Sequence, residues 1–432
     1  MKNLKLLNLN NISFVLIIIL FIFGRVFMGL NIFSLRFGEI LMGFSALIFL
    51  TLFIKDIVNF KELNQFQKNC TLIFLFIILH FVYLLISNPL NSISLYIFKT
   101  SSYIWVLGFY YLGKSRTFNY TSRNSLATFF IVLILSYFSS IFGIQNSYQD
   151  FLLQFTDKFD YLKASDLIIF FIFFVYFFKS SDYKDNSKLQ KLILLFAFFY
   201  LPLMMNKSRG ASIAFIIFIL FLIYDYFQNK ESLKNSFFFL TLVIIIFITS
   251  AFIVSKSPLE IEEVDEKIKY ISTSRYEKPV QNTPNVYEDY PIIYIENYRI
   301  FSSDGNLNWR LQIWQDVFVD LKSQKLIMTG YGYNYKIPAM TLDFRAGNDG
   351  TNENVHNFFV NIFARGGLIH LILYLAFFIT LYRQASLNEN KKTYLMIFVP
   401  LIFTSFFDAS MENAHYPLLF YFLNGKIVNL DN

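Results

Sequence analysis

Long apolar runs constrain the fold of this chain more than any other feature of its sequence. The chain has 432 residues, of which 55% are hydrophobic and only 16% are charged. Soluble globular proteins carry about 25% charged residues, whereas a run of about 18 or more apolar residues is typical of a transmembrane helix. The pattern predicts an all-α polytopic integral membrane protein with about twelve membrane helices. The candidates are 12–33, 37–54, 70–87, 93–113, 126–145, 166–179, 190–205, 210–228, 236–254, 357–382, 393–408 and 415–430.

Positive charge is distributed unevenly among the connections between these runs. Alternate connections are rich in lysine and arginine, while the Asn88–Ser92 turn has neither and the segment 146–165 is acidic on balance. Cytoplasmic loops of membrane proteins carry such an excess of positive charge, so we expect a cytoplasmic N-terminus. The positive residues of the predicted inner connections are Lys55, Lys61, Lys68, Lys114, Arg116, Arg123, Lys179, Lys184, Lys188, Lys191, Lys230, Lys234, Arg383, Lys391 and Lys392.

The same alternation divides the chain into three parts. Residues 1–254 carry the first nine predicted helices, 255–356 form one large extracytoplasmic loop, and 357–432 carry the last three. The first half of the loop, to Tyr294, combines clustered charges with three prolines, so we expect it to be irregular. In the second half, four apolar side chains at helical spacing predict an amphipathic helix that ends near Gly330. They are Leu311, Trp314, Phe318 and Leu321.

Several classes of protein are disfavoured by composition. The pI near 9.1 is explained by the positive charge of the predicted inner loops. The sequence has no soluble basic domain, so we expect no nucleic-acid partner. The single Cys70 cannot form an internal disulfide, and no cluster of cysteine and histidine predicts a zinc or iron site. Because Arg25 interrupts the first apolar run and no small-residue cleavage site follows, we expect that run to remain as a membrane anchor.

A polar interruption at residues 206–210 contains the first candidate site residue, Arg209. A charge inside or at the rim of a bilayer costs about 2.5 to 3.5 kcal/mol on insertion scales, so it requires a reason. Arg209 follows Ser208 and precedes Gly210 at the start of a predicted helix, at the outer rim. A guanidinium beside a helix N-terminus is a good clamp for a diphosphate. The alternative is a capped helix start with an arginine that reaches to the surface.

His356 is the second candidate, because it lies at the outer start of the tenth predicted helix. An imidazole there can act as a general base near neutral pH. The alternative is a rim histidine bonded to a loop carbonyl, with Asn352 or Asn354 capping the helix. The last outer turn brings Asp408, Glu412 and His415 to the same rim, while His80 and His370 lie deeper and are expected to be structural.

Arg310, just before the amphipathic stripe, is the third candidate. It can bring a second positive charge to the rim that holds Arg209, and its alternative reading is a solvated loop arginine. Arg299 is a weaker competitor for the same role.

Three motifs, in this order, resemble the O-antigen ligase and polymerase superfamily of bacterial envelope glycosyltransferases. The first is Ser208-Arg209-Gly210-Ala211 at a helix start. The second is a long outer loop with Arg310, Trp314 and the turn at residues 330–332. The third is His356-Asn357, followed after nine residues by Gly367. The family usually has a small residue or tyrosine three positions after that glycine, where this chain has His370, which weakens assignment to the ligase branch.

The resemblance implies transfer of a glycan from an undecaprenyl-diphosphate carrier to an acceptor hydroxyl, at the periplasmic face of the bacterial inner membrane. Arg209 and Arg310 would bind the diphosphate and His356 would accept the hydroxyl proton, giving inversion without a metal or other cofactor. Ser208, Gly210 and Asn357 would support them. The partners would be membrane lipids, the lipid-linked donor, and a glycan or lipid A-core acceptor.

Two questions stay open at the level of the sequence. A lipid-linked saccharide flippase is the alternative function, although transporters often show internal repeats with matching broken helices and this chain shows no such symmetry. Within the superfamily, the chain can be a repeat-unit polymerase, a ligase that joins polymer to lipid A core, or an enzyme that glycosylates protein.

Overall fold

The computed structural model describes most of the chain as α-helices. The described residues are 9–32, 34–87, 95–115, 122–142, 151, 154–156, 162–181, 187–228, 233–256, 292–296, 298–342, 345 and 353–429. The helices are α1 Leu9–Met28, α2 Phe37–Val58, α3 Gln65–Ser87, α4 Leu95–Thr100, α5 Ser102–Trp105, α6 Gly108–Lys114, α7 Arg123–Phe142, α8 Ala164–Lys179, α9 Ser187–Lys207, α10 Arg209–Gln228, α11 Leu233–Ser255, α12 Gly305–Ser323, α13 Phe358–Leu387, α14 Lys391–Phe407 and α15 His415–Ile427. Two antiparallel hairpins pair β1 Asn31–Ile32 with β2 Leu35–Arg36, and β3 Ile293–Glu296 with β4 Arg299–Ser302.

Seven helices in the described part of the chain are long and apolar enough to cross a membrane. They are α2, α3, α7, α9, the 209–227 part of α10, the 238–255 part of α11, and α13. This supports an all-α membrane protein, but the predicted number of about twelve spans is not confirmed. The other five apolar runs form helices that are shorter or broken.

The predicted span 93–113 differs most from expectation, because it forms the three short helices α4, α5 and α6. Near the end of α4, the hydroxyls of Thr100 and Ser101 both donate to the carbonyl of Ile97. Side-chain hydroxyls that bond a helix carbonyl compete with the next backbone N–H. The polar pair therefore ends α4 inside an apolar stretch.

The predicted run 166–179 forms α8, a helix of 16 residues in which Ala164–Phe178 are all buried. At about 1.5 Å per residue, such a helix is roughly 24 Å long, shorter than the ~30 Å hydrocarbon core of a bilayer. A helix that is apolar on every side is suited to a protein interior. α8 is therefore a core helix, and α15 is buried in the same way.

The chain divides into two compact units. Unit 1 comprises residues 1–66, 102–259 and 380–432, and unit 2 comprises 67–101 and 260–379. In unit 1, α8 packs against six other helices, and further close pairs bring α15 onto α6 and α10 onto both α9 and α14. Close approach in unit 1 depends on small residues, since a Cβ at Gly108 would lie 2.1 Å from the carbonyl oxygen of Ser45.

Unit 2 has its core between α12, the turn that follows it, and the start of α13. The core contains Ile313, Val317, Leu321, Tyr331, Ile337, Ala339, Met340, Val355 and Ala364. Asp304 caps α12, because its carboxylate accepts a hydrogen bond of 2.9 Å from the N–H of Leu307. α12 ends at Ser323, so the predicted end of this helix near Gly330 is wrong. A turn that contains Gly330 follows the helix.

The prediction of which apolar side chains of α12 are buried is largely wrong. Of its four residues only Leu321 is buried, and Phe318 is 52% exposed. The buried face contains Ile313, Val317 and Leu321 together with polar side chains such as Gln312 and Asp316, which bond to arginines outside the helix. The irregular stretch that was expected over 260–294 lies outside the described residues up to 291, and its last residues enter strand β3.

α13 is interrupted at Gly367, whose φ of +63° is left-handed. The turn after α12 fills the interruption with backbone hydrogen bonds. The N–H groups of Tyr331 and Gly332 donate to the carbonyls of Ala364 and Arg365, at 2.8 Å each, and the N–H of Leu368 donates to Ile327 at 2.8 Å. A helix break inside an apolar segment is tolerated where neighbouring groups satisfy the freed backbone. We call this contact the turn–helix junction.

Two cysteine substitutions test the orientation that charge asymmetry predicts. Ser187→Cys, at an exposed position in a predicted inner connection, and Asn306→Cys, at an exposed position of α12, should react differently with an impermeant thiol reagent. In intact spheroplasts only Asn306→Cys should be labelled, in a Cys70→Ser background. Labelling of Ser187→Cys alone would reverse the topology.

Gly367→Ala and Gly330→Ala should both destabilise the protein. A Cβ would lie 2.2 Å from the Met328 carbonyl oxygen at Gly367 and 2.5 Å from the Arg365 carbonyl at Gly330, and both positions have positive φ. The left-handed backbone alone costs about 1–2 kcal/mol for alanine. Thermal unfolding of the purified protein should show a lower midpoint for both, whereas Gly43→Ala, which meets no atom within 4 Å, serves as the control. A wild-type midpoint for Gly367→Ala would contradict the junction.

Candidate active site

Arg209 is the first residue of α10 in unit 1, and its side chain is exposed. Ser208 caps this helix, since its hydroxyl accepts a hydrogen bond of 3.4 Å from the N–H of Ala211. Gly210 makes room for a neighbouring helix, because a Cβ there would lie 2.7 Å from Cβ of Phe407 at the end of α14. The predicted helix start is therefore present, and the small residue serves helix packing.

The last turn of unit 1 contributes buried polar groups at the same end of α10 and α14. Asp408, directly after α14, accepts a hydrogen bond of 2.7 Å from Ser165 at the start of α8. Nε2 of His415 lies 2.6 Å from the carboxylate of Asp166, and both side chains are almost fully buried. His415 is thus committed to an ion pair or hydrogen bond between the first turns of α8 and α15.

His356 lies in unit 2, immediately before the helix α13. Its φ of +52° is in the left-handed region, which is uncommon for a residue other than glycine. Its half-buried ring meets the ring of Trp309 edge to face, with centroids 5.1 Å apart. The helix cap is Asn357, whose side-chain oxygen accepts from the N–H of Val360 at 3.0 Å. The prediction that Asn354 caps this helix is therefore wrong. Asn352, the other predicted cap, lies outside the described residues.

Two tryptophans of α12 hold the backbone and the ring at this position. Nε1 of Trp314 donates a hydrogen bond of 2.7 Å to the carbonyl of Val355, and Trp309 packs on His356 itself. Arg310 lies between them in sequence and one turn before Trp314, so it shares that face of the helix. His356 and Asn357 therefore lie at a segment that contacts α12, the helix that carries Arg310.

Arg299, the competitor of Arg310, is held in a buried network. Its Nη1 lies 2.8 Å from the carboxylate of Asp316, and its Nε donates to the side-chain oxygen of Gln312 at 3.1 Å. The second oxygen of Asp316 lies 2.8 Å from Arg345, which also donates to the carbonyl of Ala339. The pairing of Arg345 with Asp316 is not predictable from the sequence, because no local pattern links an acidic residue in a helix to a distant arginine.

His370 lies deep in α13 and has a structural role, as expected. Its Nε2 faces the carbonyl of Ile77 at 3.2 Å, which fixes the proton on that nitrogen, and its Nδ1 accepts from the hydroxyl of Tyr333 at 2.8 Å. Tyr333 follows the turn–helix junction in sequence. This histidine therefore ties the turn to α13 and α3. His80 packs edge to face on His370, with centroids 4.5 Å apart.

The candidate residues form two groups, one in each unit. Ser208, Arg209 and Gly210 belong to unit 1, and Arg310, His356 and Asn357 belong to unit 2. A shared site for the two groups stays a prediction. Among the described residues, no group of three or more histidine, cysteine, aspartate or glutamate side chains has the arrangement of a metal site.

Substitutions should separate the structural arginine from the candidate one. Arg299→Ala or Asp316→Asn leaves a buried partner uncompensated, which typically costs about 3–5 kcal/mol. Both should lower the thermal unfolding midpoint strongly, while Arg310→Ala, half-buried on the same helix, should lower it less. Equal losses in all three variants would place Arg310 in the structural network.

Residues 192–375 match the protein family described as O-Antigen ligase. No curated protein matches the chain. All six candidate residues lie within the matched segment. Four of the seven helices that are long enough to span a membrane overlap it, namely α9, α10, α11 and α13. The match confirms, for this segment, the resemblance to the O-antigen ligase and polymerase superfamily of envelope polysaccharide enzymes.

Proposed function

We propose that this protein is a membrane glycosyltransferase that moves a glycan from an undecaprenyl-diphosphate carrier to an acceptor hydroxyl. The family match supports a polysaccharide ligase or polymerase of the glycosyltransferase type. The donor, the acceptor and the outer face of the bacterial inner membrane as the place of reaction are parts of the proposal. They follow from the family resemblance and from the charge asymmetry of the loops.

The position of His356 is the observation that carries the proposal. A non-glycine residue in the left-handed region stores strain of order 1–3 kcal/mol, and such residues cluster at active sites. Here the strain is held by the cap at Asn357, the bond from Trp314 to Val355 and the ring of Trp309. If His356 served only to cap α13, these contacts would not be needed, because Asn357 already caps the helix.

In the proposed reaction, the acceptor hydroxyl attacks the anomeric carbon of the donor sugar. His356 takes the hydroxyl proton as the new carbon–oxygen bond forms. The bond from the anomeric carbon to the diphosphate oxygen breaks on the opposite side, and undecaprenyl diphosphate leaves with its electron pair. The configuration at the anomeric carbon is inverted.

Arg209 and Arg310 are proposed to bind the diphosphate leaving group. A guanidinium donates two parallel hydrogen bonds to phosphate oxygens and keeps its charge at any physiological pH. Fixed positive groups that face the developing charge supply a large share of catalysis in such reactions. The scheme assigns this role to the two arginines and requires no metal ion.

His415 is less suited to act as the base. Its side chain is 1% exposed and its Nε2 is already bonded to Asp166. A general base must come within hydrogen-bond reach of the proton that it abstracts, and His356 is more exposed than this buried pair.

The proposed roles predict different kinetic effects. His356→Ala should leave donor binding nearly intact and lower turnover by roughly 10²–10⁴, the usual contribution of a general base. Arg209→Ala and Arg310→Ala should weaken donor binding as well as turnover, and Arg209→Lys should rescue only partly because an ammonium cannot form the bidentate pair. Donor affinity and single-turnover rate are measured for each purified variant.

Lys322→Ala, at an exposed position of α12, is the matched control and should match the wild type. Near wild-type turnover of folded His356→Ala would move the base elsewhere.

In a strain that lacks the gene, single-repeat bands on a lipopolysaccharide gel would assign a polymerase. Bare core with polymer left on its carrier would assign a ligase.

A further inference from the structure

Unit 2 contains a positively charged patch that the proposed reaction does not use. Nζ of Lys99, at the end of α4, lies 2.9 Å from one carboxylate oxygen of Glu353. Nζ of Lys336, which follows the turn after α12, lies 3.0 Å from the other carboxylate oxygen. The lysine side chains are 41% and 55% exposed, whereas that of Glu353 is only 12% exposed. One carboxylate thus bridges two accessible ammonium groups.

A third positive charge lies beneath this bridge. The side chain of Arg365 is fully buried, with Nη1 donating to the carbonyl of Tyr335 at 3.0 Å and Nη2 to the hydroxyl of Tyr96 at 3.3 Å. Its guanidinium also lies over the ring of Tyr96, 5.6 Å from the centroid. Within the described part of the chain, Arg365 has no carboxylate partner, and its buried Nε has no hydrogen-bond partner.

The chain places these charges side by side. The hydroxyl of Tyr96 also donates to the carbonyl of Tyr335 at 3.3 Å, so α4 and the turn meet directly above Arg365. Lys99 follows Tyr96 by three residues, on the same face of α4, and Lys336 directly follows Tyr335. The patch therefore holds three positive side chains and one negative one.

Electrostatics favours a further anion at this patch. A buried guanidinium with only neutral partners is costly, because its desolvation is not repaid by a counter-ion. Burial alone would raise the pKa of Glu353, but the hydrogen bonds and charges of Lys99 and Lys336 hold the pKa below its usual value. Glu353 is thus a carboxylate in a site whose positive charge exceeds its own.

We propose that Lys99 and Lys336, above Arg365, form a phosphate-binding site in which Glu353 is the internal counter-ion. A phosphate or diphosphate group carries more negative charge than a carboxylate and has more acceptor oxygens, so it can replace Glu353 between the two ammonium groups. The ligand class is a lipid phosphate. Its source is either the polyprenyl carrier or the headgroup of an anionic phospholipid, since Lys99 ends an apolar helix of sequence LYIFKT. The site is separate from Arg209 and Arg310.

Binding measurements on the purified full-length protein in phosphatidylcholine nanodiscs test the site. The probes are inorganic diphosphate, undecaprenyl phosphate and phosphatidylglycerol. Lys99→Ala and Lys336→Ala should each weaken binding by roughly tenfold or more, the usual effect of losing a charged hydrogen bond. Glu353→Gln should strengthen binding, because it removes the competing charge. Lys322→Ala should leave it unchanged.

Opposite effects of the lysine substitutions and of Glu353→Gln on binding distinguish a binding site from a structural bridge. If all three patch variants weaken binding together with stability, or if none changes binding, the site is overturned. If Lys99→Ala does not fold, the changes in binding caused by Lys336→Ala and Glu353→Gln are enough to decide between the two. Preference for undecaprenyl phosphate would support the carrier as the source, and preference for phosphatidylglycerol would support the phospholipid.

The Arg209→Ala/Arg310→Ala double variant isolates the patch from the proposed active site. Binding that keeps its dependence on Glu353 in this background supports the phosphate site, whatever the outcome for His356. Binding that disappears with the two arginines assigns all of it to the active site and overturns the patch, while the proposed function stands.

Discussion

The arrangement of unit 2 depends on the backbone hydrogen bonds of the turn–helix junction. A helix in an apolar segment normally satisfies its own N–H and C=O groups, and an interruption leaves several of them unpaired. The turn at residues 327–332 supplies the missing partners on both sides of Gly367. Because this turn directly follows α12, the junction fixes α12 against the start of α13. The two tryptophans that hold residues 355 and 356 are therefore carried on a firmly attached helix.

Buried charge lies beside the apolar residues Ile313, Val317 and Leu321 on the inward face of α12. An apolar pattern alone would bury Phe318, yet that side chain is 52% exposed. Asp316 is buried between Arg299 and Arg345 at 2.8 Å from each. Removing two or three charged groups from water is costly unless all are paired, so the carboxylate and its arginines must be buried together. The observed rotation of α12 achieves this.

Local signals in the sequence predicted those features that depend on neighbouring residues. Ser208 marks the start of α10, and the seven helices that are long and apolar enough to cross a membrane coincide with predicted spans. The sequence marks Gly330 and Gly367 as motif residues, but no local signal predicts their direct contact. Features that depend on distant partners could not be read locally. The Arg345–Asp316 pair, the β3–β4 hairpin and the end of α4 at Thr100 are of this kind, and the union of Arg209 with His356 is still a prediction.

The burial of α8 has a consequence for how the protein is made. Its first turn is bonded to Asp408 and His415, which are synthesised more than 240 residues later. Until α14 and α15 emerge, the buried helix α8 lacks part of its protein surroundings and the partners of its polar first turn. Long-range contacts of this kind form late and expose intermediates to misassembly. Premature termination after α13 would therefore harm the first half of the chain, although every residue of that half would be present.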